Sequence, residues 1–91
     1  MAHSVSLSWV ASTDPVSGYN VYRGATSGSE ATLLTPSPIT VTTFTDSAPL
    51  LGHDFYEVKS VLNGVESLAS NEVTTVILPA PPTGLVITAS A

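Results

Sequence analysis

The chain of 91 residues contains no cysteine, so it can form neither a disulfide framework nor a thiolate metal site, and it has no cysteine nucleophile. Charge is also scarce, with two Lys or Arg, seven Asp or Glu and a net charge of −5. Arg23 and Lys59 are the only strong cations. Binding to nucleic acid or to an anionic membrane surface is therefore disfavoured, because both need clustered positive charge.

Long apolar runs and a signal peptide are lacking as well. No run approaches the length that spans a bilayer. The first three residues lead straight into a strand pattern, so we expect a mature fragment of a longer protein. A chain of this length fits one domain and excludes two full ones. The low charge and the many Ser and Thr residues favour a secreted protein, located outside the cell or on its surface.

The sequence does contain a repeated strand pattern, interrupted at regular intervals by turn-forming residues. β-Branched residues dominate, and Gly, Pro, Asn, Asp and Ser recur at short intervals. Residues 4–10 alternate between apolar and polar side chains, which predicts a half-buried strand with Trp9 in the core. Residues 18–23 predict a second strand, with Tyr19 and Val21 inward and Tyr22 outward.

The rest of the chain continues this pattern. Asn63-Gly64 indicates a hairpin turn, because both residues tolerate a positive φ. Residues 79–82, with three prolines, predict a stiff, extended spacer. Further strands are predicted at residues 31–34, 41–45, 55–62 and 71–78, and from Leu85 onward. Seven short strands favour an all-β, two-sheet sandwich.

Several segments together resemble bacterial fibronectin type III domains, which have an immunoglobulin-like seven-strand β-sandwich. The segments that resemble strands B, C, E, F and G of that family are residues 6–9, 16–24, 42–46, 55–61 and 63–73, respectively. The resemblance covers nearly the whole chain and rests on the order and spacing of these pieces. It implies a non-catalytic structural or interaction module.

The sequence departs from the family in two places. The family usually has a tyrosine at the start of strand F, where this chain has Asp54 with Tyr56 one step inward, which leaves the register near His53 open. The segment that resembles strand A lies after strand G, so the order along the chain is B-C-C′-E-F-G-A. We therefore expect a sandwich over residues 1–78, a Pro-rich linker over 79–84 and a strand-A-like segment over 85–91.

This order predicts head-to-tail self-assembly, in which the C-terminal strand of one molecule adds to the next. The residues of the assembly strand are Leu85, Val86, Ile87, Thr88 and Ala89. The acceptor strand consists of Ser4, Val5, Ser6, Leu7 and Ser8. Three alternatives stay open: a free tail, closure of the tail onto its own domain, and a segment that begins a neighbouring repeat.

Candidate chemistry is sparse. His53-Asp54 is too small a set for a metal site, and His3 is far from it in the sequence. Asp14, Asp46 and Asp54 are expected to be solvated loop charges, so neither a catalytic set nor a cofactor is predicted. The outward aromatics Tyr22 and Phe55 could form a small platform for a carbohydrate or protein ligand. The alternative function is thus an accessory binding module of a secreted enzyme or adhesin.

Overall fold

The computed structural model describes residues 3–89, which form strands and no helix. None of these residues therefore lies in a helix that could cross a membrane. The seven strands are β1 (Val5–Ser8), β2 (Gly18–Gly24), β3 (Thr32–Leu33), β4 (Thr43–Asp46), β5 (Gly52–Leu62), β6 (Val65–Glu66) and β7 (Val73–Ile77).

The strands form two antiparallel sheets, as in a β-sandwich. β1 pairs with β4 in a two-stranded sheet, with Val5 opposite Asp46 and Leu7 opposite Phe44. The second sheet has the order β3-β2-β5, and β6 and β7 both pair with β5. Tyr19, Val21 and Tyr56 of the larger sheet are buried and build the core. The predicted all-β, two-sheet architecture is confirmed.

Strand β5 begins at Gly52, three residues before its predicted start at Phe55, because its first half pairs with β7 from Gly52 onward. Asp54 and Tyr56 are the buried residues of this half, with exposures of 0% and 1%. The Asp54 carboxylate accepts the backbone N–H of Leu50 at 3.0 Å, which ties down the preceding loop. This settles the register near His53 in favour of Asp54 and Tyr56 inward.

The hairpin at Asn63-Gly64 has the predicted positive φ at both residues, 52° and 81°. Its return strand was predicted at residues 71–78, but a short strand, β6, follows the turn directly. Between β6 and β7 the chain bulges. There the hydroxyls of Ser67 and Ser70 accept the backbone N–H groups of Ser60 and Val58, at 2.9 and 3.0 Å. Serine side chains thus replace part of the backbone ladder, which the sequence pattern could not reveal.

Residues 78–89, the C-terminal segment, lie apart from the sandwich. They are exposed and form no strand, so the predicted strand at Leu85–Ala89 does not occur within the described chain. A strand needs a neighbouring strand for its hydrogen bonds, and this segment has none there. The molecule measures 71 × 22 × 20 Å, although its longest strand spans only about 37 Å, because the C-terminal segment extends away.

Candidate assembly site

Within residues 3–89, β1 pairs with β4 on one side only, so its outer edge is open. The backbone N–H of Trp9 donates to the Thr42 carbonyl at 3.0 Å, in continuation of the β1–β4 register. In an antiparallel ladder, alternate residues exchange these bonds. Trp9, Leu7 and Val5 therefore direct their backbone groups toward β4, whereas Ser6 and Ser8 direct theirs toward the open edge.

A groove runs beside this edge, between β1 and the chain that enters β7. The apolar lining of one part includes Leu7, Trp9, Tyr56, Val58 and Val73, beside the polar residues Ser8, Glu57, Ser70 and Asn71. The adjoining part adds Val10, Ser12, Tyr19, Ser60 and residues 67–69. Trp9 belongs to both parts and contacts Tyr19 edge to face, with ring centroids 5.7 Å apart. The predicted core tryptophan is therefore only partly buried, because one side of it borders the open groove.

The indole N–H of Trp9 is buried, and no hydrogen-bond acceptor within residues 3–89 reaches it. A buried donor without an acceptor costs about 1–3 kcal/mol. Because the chain itself covers Nε1, the part of Trp9 that borders the groove is its apolar ring surface.

The C-terminal segment has the properties of a strand without a sheet. Leu85, Val86 and Ile87 are 97%, 70% and 86% exposed. Leu85 and Ile87 alternate with Val86 and Thr88, so that an extended segment presents one apolar face. Three large exposed apolar side chains, in a chain that also has an open strand edge, are a combination that monomeric proteins usually avoid.

The groove beside Trp9 and the point where the C-terminal segment leaves lie at different ends of the sandwich. Val5 pairs with Asp46, and Ile77 pairs with Gly52, and these partners flank the same short loop at residues 47–51. The start of β1 and the end of β7 therefore share one pole of the molecule, which we call the Val5 pole. Trp9 lies toward the opposite pole, which we call the Trp9 pole. The C-terminal segment leaves from the Val5 pole.

No protein-family model matches the chain, and neither does any curated protein.

The predicted aromatic platform is on the outer face of the larger sheet, but its members have partners within the chain. Tyr22 lies opposite Glu57 of β5, and Phe55 precedes Glu57 by two residues on the same strand. Its hydroxyl donates to the Glu66 carboxylate, and the Lys59 ammonium lies 4.9 Å from its ring centroid. The hydrogen bond to Glu66 raises the pKa of Tyr22, and the same bond lowers the pKa of Glu66.

Phe55 is separate from this cluster. Its ring stacks on His53, with centroids 6.1 Å apart and an interplanar angle of 22°. Tyr22 and Phe55 thus share a face without forming the single bare surface that a ligand platform would need.

The prediction that Asp46 and Asp54 are solvated loop charges is wrong. Asp46 is 5% exposed, and its Oδ2 accepts hydrogen bonds from Arg23 at 2.9 Å and Tyr56 at 2.8 Å. Burial alone would raise the pKa of Asp46, but the hydrogen bonds from Arg23, Tyr56 and the Ala48 N–H, together with the Arg23 charge, outweigh it and hold the pKa below its ordinary value. The trio joins three strands, and its partners are too distant in sequence to be identified from spacing.

Glu72 holds the loop between β2 and β3, and Glu30 is a second glutamate that belongs to this region. The Glu72 carboxylate accepts the Ser27 hydroxyl and the Gly28 N–H, both at 2.7 Å. Burial raises the pKa of Glu30 to about 7. Within residues 3–89 no three acidic or histidine side chains are grouped to hold a metal ion. The two hydrogen bonds to Glu72 fasten the loop between β2 and β3.

Proposed function

We propose that this chain is a non-catalytic module of the fibronectin type III kind, from an extracellular repeat protein, that assembles head to tail by strand addition. The C-terminal segment of one copy adds to the open β1 edge of another and supplies the strand that the smaller sheet lacks. The observation that carries the proposal is that one chain contains both an open edge above an unfilled groove and an unpaired strand-like segment.

The energy of this contact comes from apolar burial and from the ladder. Burial of Leu85 and Ile87 contributes about 1.5–3 kcal/mol each. Each backbone hydrogen bond adds a net of about 0.5–1.5 kcal/mol. These gains are offset by the entropy lost on association and by ordering of the segment. We therefore expect an association that depends on concentration, in the range from roughly millimolar to micromolar.

The contact is heterologous, because donor and acceptor are different surfaces of the same chain. Such contacts close into a ring or continue as a filament. The proline-containing spacer favours extension, since prolines hold the backbone near φ −65° and oppose a sharp return. Neighbouring repeats of a longer chain could make the same contact.

The alternative, an accessory carbohydrate- or protein-binding module, has less support. It depends on Tyr22 and Phe55, and both rings already have partners within the chain.

The test is a pair of matched variants in the C-terminal segment. Ile87→Asp places a charge on the face that would be buried, whereas Thr88→Asp places the same charge on the opposite face. Light scattering over a concentration series measures the mass of each. We expect the unmodified chain and Thr88→Asp to grow in mass with concentration and Ile87→Asp to stay monomeric. A chain that stays monomeric throughout, with its stability unchanged on deletion of residues 79–91, would contradict the proposal.

A further inference from the structure

We infer that the donated segment enters the groove antiparallel to β1, with Leu85 beside Trp9, Ile87 beside Leu7 and Ala89 beside Val5. This inference rests on the proposed assembly and adds the partner, the direction and the register. The partner is a second copy of this chain.

The open backbone groups determine which donor residues face inward. Ser6 and Ser8 offer their N–H and C=O groups at the edge, and their side chains are on the exposed face. Residues directly opposite each other in a sheet have side chains on the same face. Val86 and Thr88 therefore lie opposite Ser8 and Ser6 and stay exposed.

The same alternation turns Leu85 and Ile87 toward the groove. Among the donor residues these two have large apolar side chains on one face of the segment, so the register that pairs the ladder also buries them.

The position of the groove decides the direction. Its lining begins at Leu7 and continues past Trp9 to Ser12, at the Trp9 pole. An antiparallel segment delivers the two bulky side chains, Leu85 and Ile87, to this half and the small Ala89 to Val5. A parallel segment in the same alternation would put Ala89 beside Trp9 and leave the groove largely unfilled, which forfeits dispersion contacts.

The antiparallel direction also identifies the donor as another molecule. Such a segment must enter at the Trp9 pole and run toward the Val5 pole, but each chain's own segment leaves from the Val5 pole. To enter its own groove it would first have to return along the sandwich. Residues 78–84 span at most about 22 Å at 3.1–3.3 Å per residue. The distance from the Val5 pole back to the Trp9 pole uses most of this length, before the chain makes either turn.

Disulfide trapping tests the register, because the chain has no cysteine of its own. Four single variants are made at exposed positions: Ser6→Cys, Ser8→Cys, Val86→Cys and Thr88→Cys. They are mixed in pairs, with a mass tag on one partner, and oxidised. In the antiparallel register, the variant Ser8→Cys forms a disulfide with Val86→Cys, and Ser6→Cys forms one with Thr88→Cys. The same four proteins in crossed pairs, 8 with 88 and 6 with 86, are the controls and correspond to the parallel register.

We expect the antiparallel pairs to form the mixed disulfide about tenfold faster than the crossed pairs. Opposite Cα atoms lie about 5.5 Å apart, within the 4.4–6.8 Å of a disulfide, whereas diagonal neighbours lie about 7–8 Å apart. Thermal unfolding of each variant verifies that it folds.

Three other results would overturn the inference in different ways. Preference for the crossed pairs would mean a parallel segment, and the assembly itself would stand. Growth in mass without any preferred disulfide would mean that the copies meet elsewhere. Absence of assembly for all four variants and for the unmodified chain would overturn the proposed function as well.

Discussion

At the scale of single residues, the trio of Arg23, Asp46 and Tyr56 holds the two sheets together. Its hydrogen bonds of 2.8 and 2.9 Å join β4 of the smaller sheet to β2 and β5 of the larger one. Arg23 also donates to the Ala48 carbonyl at 3.1 Å, and the Ala48 N–H donates to Asp46. Because the smaller sheet has only two strands, this link carries much of its attachment.

Substitution of this carboxylate should therefore destabilise the sandwich. We expect Asp46→Asn to lower the free energy of unfolding by about 1.5–3 kcal/mol at pH 7, the range for hydrogen bonds to charged groups. Urea denaturation measures the change. Asp14→Asn removes the same charge from an exposed loop and should have almost no effect. A loss of equal size in both variants would contradict the role of the trio.

The loss of stability in Asp46→Asn should also depend on pH. Since the pKa of Asp46 is lower in the folded chain than in the unfolded one, its contribution is present above about pH 4 and is lost as the pH falls through the folded value. The difference in stability between the unmodified chain and Asp46→Asn should therefore shrink between pH 5 and pH 2. This difference isolates Asp46 from the other carboxylates.

At the scale of elements, β1 has one edge paired with β4 and one open edge among residues 3–89. The backbone groups of Val5, Leu7 and Trp9 face β4, and those of Ser6 and Ser8 have no strand partner in the described part of the chain. Proline is tolerated in a strand where its missing N–H faces an open edge. We expect Ser6→Pro to fold as a monomer and to lose assembly, as measured by sedimentation. Ser6→Ala, which keeps the N–H, should assemble normally; assembly of Ser6→Pro would show that the edge is not used.

The sequence predicted most elements because their signals are local. The alternation around Leu7, the Asn63-Gly64 turn and the inward Tyr56 each follow from neighbouring residues, and the structure has all three. Boundaries were less accurate: β5 begins at Gly52 because β7 pairs with it there.

What the sequence could not predict depends on contacts between distant residues. Asp46 looked like a loop charge, since neither Arg23 nor Tyr56 is near it in the chain. The serines that replace the ladder after β6 belong to a polar stretch without strand periodicity. The assembly strand is predicted from the resemblance to the family, and its pairing stays a prediction because the predicted partner is another molecule.

At the scale of the whole molecule, the order of the strands decides whether the sandwich is self-contained. A rearranged chain, in which residues 79–91 precede residues 1–78, would present the donor segment at the Trp9 pole of its own β1. In the inferred register, residues 90, 91 and 1–4 would connect Ala89 to Val5, which is close to an ordinary hairpin loop.

We expect the rearranged chain to be monomeric, with a melting temperature that is independent of concentration and above that of the unmodified chain at low concentration. Differential scanning calorimetry at several concentrations measures both. The rearranged chain with Ile87→Asp is the control and should lose the gain in stability. A rearranged chain that melts no higher than the unmodified chain would mean that the segment does not fit the groove.

The separation of the groove from the departing segment has one more consequence. A row of copies joined in this way has unlike ends: the first displays a bare groove, and the last displays a bare segment. Growth at each end therefore needs a different surface on the incoming copy. A protein that offers only the segment would stop one end, and a protein that offers only the groove would stop the other, so the length of the row could be controlled from either side independently.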